Sequence, residues 1–169
     1  MSPFFRVSMI LKGEDQMSSA IVSKPFASAT ILPGSLAPAL HSVLRIVTGL
    51  SFLEHGTGKL LGFPAGLPFL DKMPAGLLYF TGTMELVGGV LIILGLFTRP
   101  IAFILSGFMA FAYFMAHFPM SFFPAINFGE PAVLYCFIFL YLAAAGAGPW
   151  SIDRALTAGT PSRFGGSTI

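Results

Sequence analysis

The sequence predicts an all-α integral membrane protein, a four-helix bundle with both termini on the cytoplasmic side. Three observations lead there. The chain is 55% hydrophobic and only 9% charged over 169 residues, with a mean hydropathy of +0.83. Soluble domains carry about 25% charged residues, and a soluble fold of this size could not hide so much apolar surface. Four apolar stretches follow one another, each near the ~20 residues that cross a ~30 Å hydrocarbon core. Prolines mark their limits at positions 68, 74, 100, 119, 124, 131 and 149, as expected of a residue that lacks the N–H donor a helix interior needs.

Residues 1–39 differ from the rest, with Arg6, Lys12, Glu14, Asp15 and Lys24 among scattered Ser and Pro. They hold no apolar run long enough for a signal peptide. They are expected to be a poorly ordered cytoplasmic or interfacial segment, with Met1, Met9 and Met17 as candidate starts. The membrane domain occupies 40–155. Its spans are expected at His41–Leu61, Pro74–Phe97, Pro100–Phe118 and Pro131–Ala147, each a helix because lipid offers the backbone no hydrogen-bond partner. The link Leu96–Pro100 is so short that the second and third helices must be antiparallel neighbours. The link Pro119–Gly129 holds no Asp, Glu, Lys or Arg but three phenylalanines; it either lies in the interface or folds back over the bundle. Residues 156–169 read as a flexible tail. Arg99, Arg154, Arg163 and the N-terminal cations fall on one side and Lys59 and Lys72 on the other, which makes the first side cytoplasmic. Trp150 suits an interfacial anchor.

Every span carries ionisable groups, and a charge in hydrocarbon costs about 2.5–3.5 kcal/mol even on lenient insertion scales. Counting ~1.5 Å per residue sorts Glu54, His55, Lys59, Glu85, His117 and Glu130 to the outer half of the bundle and leaves Arg45 near the cytoplasmic side. At 3.6 residues per turn, His41, Arg45, Phe52, His55, Gly56 and Lys59 share one stripe of the first helix. Gly82, Gly88 and Gly89 flank Glu85 on the second helix, where small residues let another helix approach. Glu130, Leu134, Phe137 and Tyr141 share a face of the fourth. Glu85, His55 and His117 are the candidate proton-handling groups. Arg45 and Lys59 are candidates for holding a charge or a head group, and with Glu130 they complete a candidate binding site. Such a pocket, polar at one end and apolar around it, suits a quinone. A packing network between helices is the structural alternative for the same residues.

Other chemistries are excluded. The lone Cys136 rules out a relay through cysteine pairs. No Glu-x-x-His pair provides a carboxylate metal site, so no metal is expected. There is no phosphate loop and no nucleophile elbow. The net charge of +2 and the lack of a basic cluster speak against nucleic acid.

The chain resembles the DoxX family of small bacterial membrane proteins. The resemblance is carried by Leu44-Arg45 with Gly49, His55-Gly56-Thr57-Gly58-Lys59-Leu60, Glu85-Leu86-Val87-Gly88-Gly89, Leu94 through Pro100, Ala116-His117-Phe118-Pro119, Asn127-Phe128-Gly129-Glu130 and Gly148 through Asp153. Together these cover about residues 40–155. The resemblance implies a four-helix bundle in the bacterial cytoplasmic (inner) membrane, and it adds Asn127 to the candidate ligand-binding residues beside Arg45, Lys59 and Glu130. The family takes its name from a relation to the membrane subunit of a thiosulfate:quinone oxidoreductase, which implies a quinone as ligand and a redox protein as partner; most members have no established activity. Two departures stand out. Met120-Ser121-Phe122-Phe123-Pro124 lacks an expected glycine, and Asn127-Phe128-Gly129-Glu130 has one glycine where two are common. Three functions fit: a redox accessory subunit binding a lipid-soluble molecule, a non-catalytic scaffold, and a small proton-coupled transporter. The bilayer is a partner under each, and a homo-oligomer is compatible with all three.

Overall fold

The computed structural model describes residues 33–67 and 70–158; the expectations for the N-terminal segment up to residue 32 and for the tail beyond Ala158 lie outside the described residues. From Leu36 onward the chain forms one unit. Its elements are α1 (Ala37–Leu61), α2 (Ala75–Leu94), α3 (Thr98–Ala112) continued by a π-helical turn (Tyr113–His117), the single turn α4 (Pro124–Asn127), α5 (Glu130–Ala145) and α6 (Ile152–Ala158). Among the described residues three helical stretches are long and apolar enough to cross a membrane: Gly34–Leu61, Ala75–Leu94 and Thr98–His117. α5 is apolar but shorter.

The helices begin and end for local reasons. α1 starts before His41, because Pro38 sits in the first turn, where no N–H donor is required. α2 stops at Gly95, whose φ of 65° is the left-handed conformation that closes a helix. α6 is a short helix that composition alone did not suggest.

The helices pack as two main pairs, α1 against α2 and α3 against α5, with thinner contact between α2 and α3. The short α2–α3 link does make those helices neighbours, yet each packs more heavily on another partner. The α1–α2 seam is built on glycines seven apart. Gly49 meets Ile93 and Gly89, Gly56 meets Leu86, Gly82 meets Leu60 and Lys59, and Gly89 meets Leu53. The pairs run in opposite directions along the two helices, so these helices are antiparallel. Missing side chains let the backbones close up, which drives packing where no hydrophobic effect operates between helices. Gly56 is the tightest point. A Cβ there would lie 2.4 Å from the Leu86 nitrogen, a backbone atom that cannot swing away. Gly56→Ala is therefore expected to cost about 1–3 kcal/mol, as over-packing does, read as a fall in unfolding temperature in nanodiscs.

The face of α5 that carries Glu130 is the exposed one. Leu134, Phe137, Tyr141 and Glu130 point outward, Leu134 at 62% and Phe137 at 65% exposure. The buried face carries Ala132, Phe139 and Leu142. This helix is apolar all round, so its sequence offers no polar side from which to orient it.

Candidate functional site

Among the described residues one ion pair joins two helices. Lys59 in the last turn of α1 reaches Glu85 midway along α2, with Nζ 2.6 Å from Oε1 and side-chain exposures of 13% and 8%. The glycine seam makes this contact feasible, because Gly56 and Gly82 bring the two backbones together on either side of it. The second oxygen, Glu85 Oε2, is buried and has no hydrogen-bond partner. His55 lies one turn before Lys59, half-buried, within the fields of Lys59 and Glu54. Its ring meets Tyr135 of α5 edge-on, centroids 6.2 Å apart. Tyr135 hydrogen-bonds Ser51 and feels the charges of Glu54 and Glu85. Phe52 closes the inner wall against Tyr135, Phe139 and Phe108. The set thus offers a cation, a buried carboxylate oxygen without a partner, an imidazole and a phenol among aromatic rings. Sequence reasoning named Glu85, His55 and Lys59, which the structure brings near one another, and did not name Tyr135 or Ser51; the signal available was a tyrosine in the body of an otherwise apolar helix.

His117 belongs to a second cluster. It closes the π-helical turn and bonds through Nδ1 to the Asn127 carbonyl at 3.0 Å. A carbonyl only accepts, so Nδ1 carries the proton. Asn127 is fully buried. Its Nδ2 donates to the Ser121 carbonyl at 2.7 Å and to the Tyr113 hydroxyl at 3.3 Å, and its Oδ1 accepts from Gly129 N–H at 2.8 Å. The Tyr113 hydroxyl donates to the Phe122 carbonyl at 2.6 Å. This cluster organises the link between α3 and α5. Among the described residues no hydrogen bond or ion pair joins it to Glu85. Glu130 opens α5 exposed, where its charge favours the helix N-terminus, and Glu54 is exposed as well.

Arg45 forms a third centre at the opposite end of α1 from Lys59. It is wholly buried. Nε donates to Ala147 O at 2.7 Å, Nη1 to Ile93 O at 2.6 Å and to Ile92 O, and Nη2 to Trp150 O. Two of these carbonyls belong to the last turn of α2, where backbone donors run short; Ile92 O also accepts the Gly95 N–H. Gly95 gives the guanidinium room, since a Cβ there would come within 2.9 Å of Arg45 Cζ.

Asp153 completes this end-piece. Its carboxylate accepts the Phe97 and Thr98 N–H groups at 2.8 and 2.9 Å, capping α3 from 55 residues away in place of Phe97, which occupies the cap position in a left-handed conformation. Its own N–H returns to Gly95 O at 2.9 Å. Burial pushes the Asp153 carboxyl up, but the two N–H donors and the Arg45 charge outweigh it and hold it below the usual value. A carboxylate with a depressed pKa stabilises the fold above the unfolded-state value of about 3.9 and loses that contribution as pH falls through its folded value. The parent is therefore expected to lose unfolding temperature below roughly pH 4 more steeply than Asp153→Asn, measured by thermal melts across an acid series.

A cleft of about 800 Å³ lies at this same end, lined by Thr98, Arg99, Gly146, Asp153 and Arg154 among others. It is remote from Lys59 and Glu85, which occupy the other end of α1 and the middle of α2. Among the described residues no three His, Cys, Asp or Glu side chains gather as metal ligands.

The family model described as DoxX matches residues 40–118. An uncharacterized protein of Haemophilus influenzae is 44% identical over 121 residues, covering 69% of this chain and 90% of its own. Inner membrane protein YqjF of Escherichia coli is 31% identical over 124 residues, covering 68% of this chain and 89% of its own. A shorter match, 37% over 59 residues, covers 34% of this chain and 44% of the Bacillus subtilis protein named Putative oxidoreductase CatD. No solved structure matches the chain. With three helices able to cross a bilayer and relatives of this kind along most of its length, the chain belongs to the DoxX family and is a multi-pass membrane protein.

Proposed function

We propose that this protein is a four-helix bundle of the inner membrane, with α5 as the fourth span and both termini cytoplasmic, that binds a quinone or a similar lipid-soluble molecule at Lys59, Glu85, His55 and Tyr135. It serves as an accessory subunit to a redox partner protein, which supplies the electrons. The observation that carries this reading is the buried Glu85 Oε2 without a partner. A buried acceptor left unsatisfied costs about 1–3 kcal/mol, more when charged, and a ligand hydroxyl satisfies it. The chemistry matches both forms of such a ligand. A carbonyl oxygen accepts from Lys59 Nζ, and the hydroxyl of the reduced form donates to Glu85 Oε2, with His55 exchanging protons near neutral pH. The rings of Phe52, Phe108 and Tyr135 hold the apolar body. Arg45 and Asn127, both engaged with backbone groups, support the frame rather than the ligand. The name of the Bacillus subtilis relative adds support for a redox role.

A second reading, a scaffold without a ligand, is favoured by the direct Lys59–Glu85 contact, which already joins α1 to α2. Titration of a short-chain benzoquinone and its reduced form into the protein in nanodiscs separates the two. The ligand reading expects saturable binding, tighter for the reduced form, and weakened about tenfold or more, some 1.4 kcal/mol, in Glu85→Gln. Absence of saturable binding in both proteins sinks it in favour of the scaffold, for which Glu85→Gln changes only stability.

A further inference from the structure

The helix α5 is shorter than its neighbours, and its register against α3 shows at which end it falls short. Arg99 Nη1 donates to the Ala144 carbonyl at 2.8 Å, Ser106 Oγ donates to the Cys136 carbonyl at 2.9 Å, and Gly129 lies against the Tyr113 ring. These three contacts describe one antiparallel register. It sets the far end of α5 level with the start of α3 and sets Glu130 level with Ala112. The π-helical turn Tyr113–His117 adds five residues beyond that level, roughly 7 Å at ~1.5 Å per residue. The helix of α3 and this turn together form one of the stretches able to cross the membrane. The step above α5 is therefore at membrane depth, and residues 118–129 fill it.

We propose that residues 118–129, the single turn α4 included, are an irregular plug immersed in the acyl-chain layer, its partner being lipid rather than water. Two features of the segment support this independently of the register. Pro119–Gly129 contains no Asp, Glu, Lys or Arg, and Phe118, Met120, Phe122, Phe123 and Ile126 all turn outward, Phe122 at 68% exposure. Its polar groups do the reverse. The carbonyls of Ser121, Phe122 and Asn127 accept from Asn127, Tyr113 and His117 side chains, and the Phe123 carbonyl accepts from Ile126 and Asn127 N–H. A water-facing loop leaves such groups to solvent and keeps phenylalanine inside. Irregular backbone at membrane depth must satisfy its polar groups within the protein, and here buried Asn127 and Tyr113 do so. The outward side continues the lipid-facing surface of α3, where Phe103 is exposed.

The test uses tryptophan emission in nanodiscs. Trp150, the single tryptophan, is changed to Phe, and Phe122→Trp is introduced. The emission is expected to be blue-shifted, largely quenched by lipids brominated along the acyl chain, and little affected by aqueous iodide. Strong iodide quenching, or equal quenching by both agents, overturns the plug. Phe123→Trp repeats the measurement in case position 122 disturbs folding. Phe103→Trp is the reference for α3. If it is quenched by bromine and Trp at 122 and 123 is not, the plug alone fails. If position 103 is not quenched, the spanning of α3 fails and takes the plug with it. The result does not depend on whether a quinone binds.

Discussion

Arg45→Ala is expected to lower stability by about 3–5 kcal/mol or more, the range for breaking a buried charged network by removing one partner. The guanidinium serves four carbonyls drawn from α2 and from the stretch between α5 and α6. The Ile93, Ala147 and Trp150 carbonyls lose this donor, while Ile92 O keeps the Gly95 N–H. Arg45→Lys is expected to rescue little, because three ammonium donors on a compact centre cannot reproduce a planar fork that addresses two helices at once. Thermal unfolding of the three proteins in one lipid composition checks this. An Arg45→Ala protein with the parental unfolding temperature contradicts it. The effect should be non-additive with Asp153→Asn, since the two charges act on each other and share one end-piece.

Lys59→Met is expected to cost a similar amount, about 3–5 kcal/mol, because it strands Glu85 among apolar neighbours. The double variant Lys59→Met, Glu85→Met is expected to recover most of that loss, since well-packed apolar residues of like volume replace buried ion pairs at little cost. Both single variants, the double variant and the parent form a cycle whose coupling energy isolates the pair. A double variant as unstable as Lys59→Met shows that the pair itself is needed for packing. A stable double variant that no longer binds benzoquinone shows that the pair is kept for the ligand.

Much of the fold was legible because hydrocarbon imposes a length and a composition on anything that crosses it. Four helices appear within a few residues of the expected spans, and Gly82 and Gly89 beside Glu85 lie in the seam with α1. The stripe through Arg45, Phe52 and Gly56 is indeed buried. Legibility fails where contrast disappears. α5 has no polar side, so its sequence did not show that the face through Glu130 and Tyr141 points out. Depth alone also grouped His117 with Glu85, because residues at comparable depth can still sit on different helix pairs. The tertiary cap from Asp153 was not foreseeable from spacing, being a contact across 55 residues. Several stretches that carry the family resemblance, Arg45, Gly95 and Gly148 through Asp153, converge in that end-piece, so part of the family signature is explained by architecture.

The two buried ionic centres also differ in when synthesis can complete them. Lys59 and Glu85 are 26 residues apart, so their helices can meet soon after α2 emerges. Arg45 needs Ala147 and Trp150, 102 and 105 residues later. At the ~5–20 residues per second of chain elongation, the interval is on the order of 5–20 seconds. For that time α1 holds a cation whose last carbonyl partners do not yet exist. Of the described membrane helices, α1 is thus made before the others and locked last.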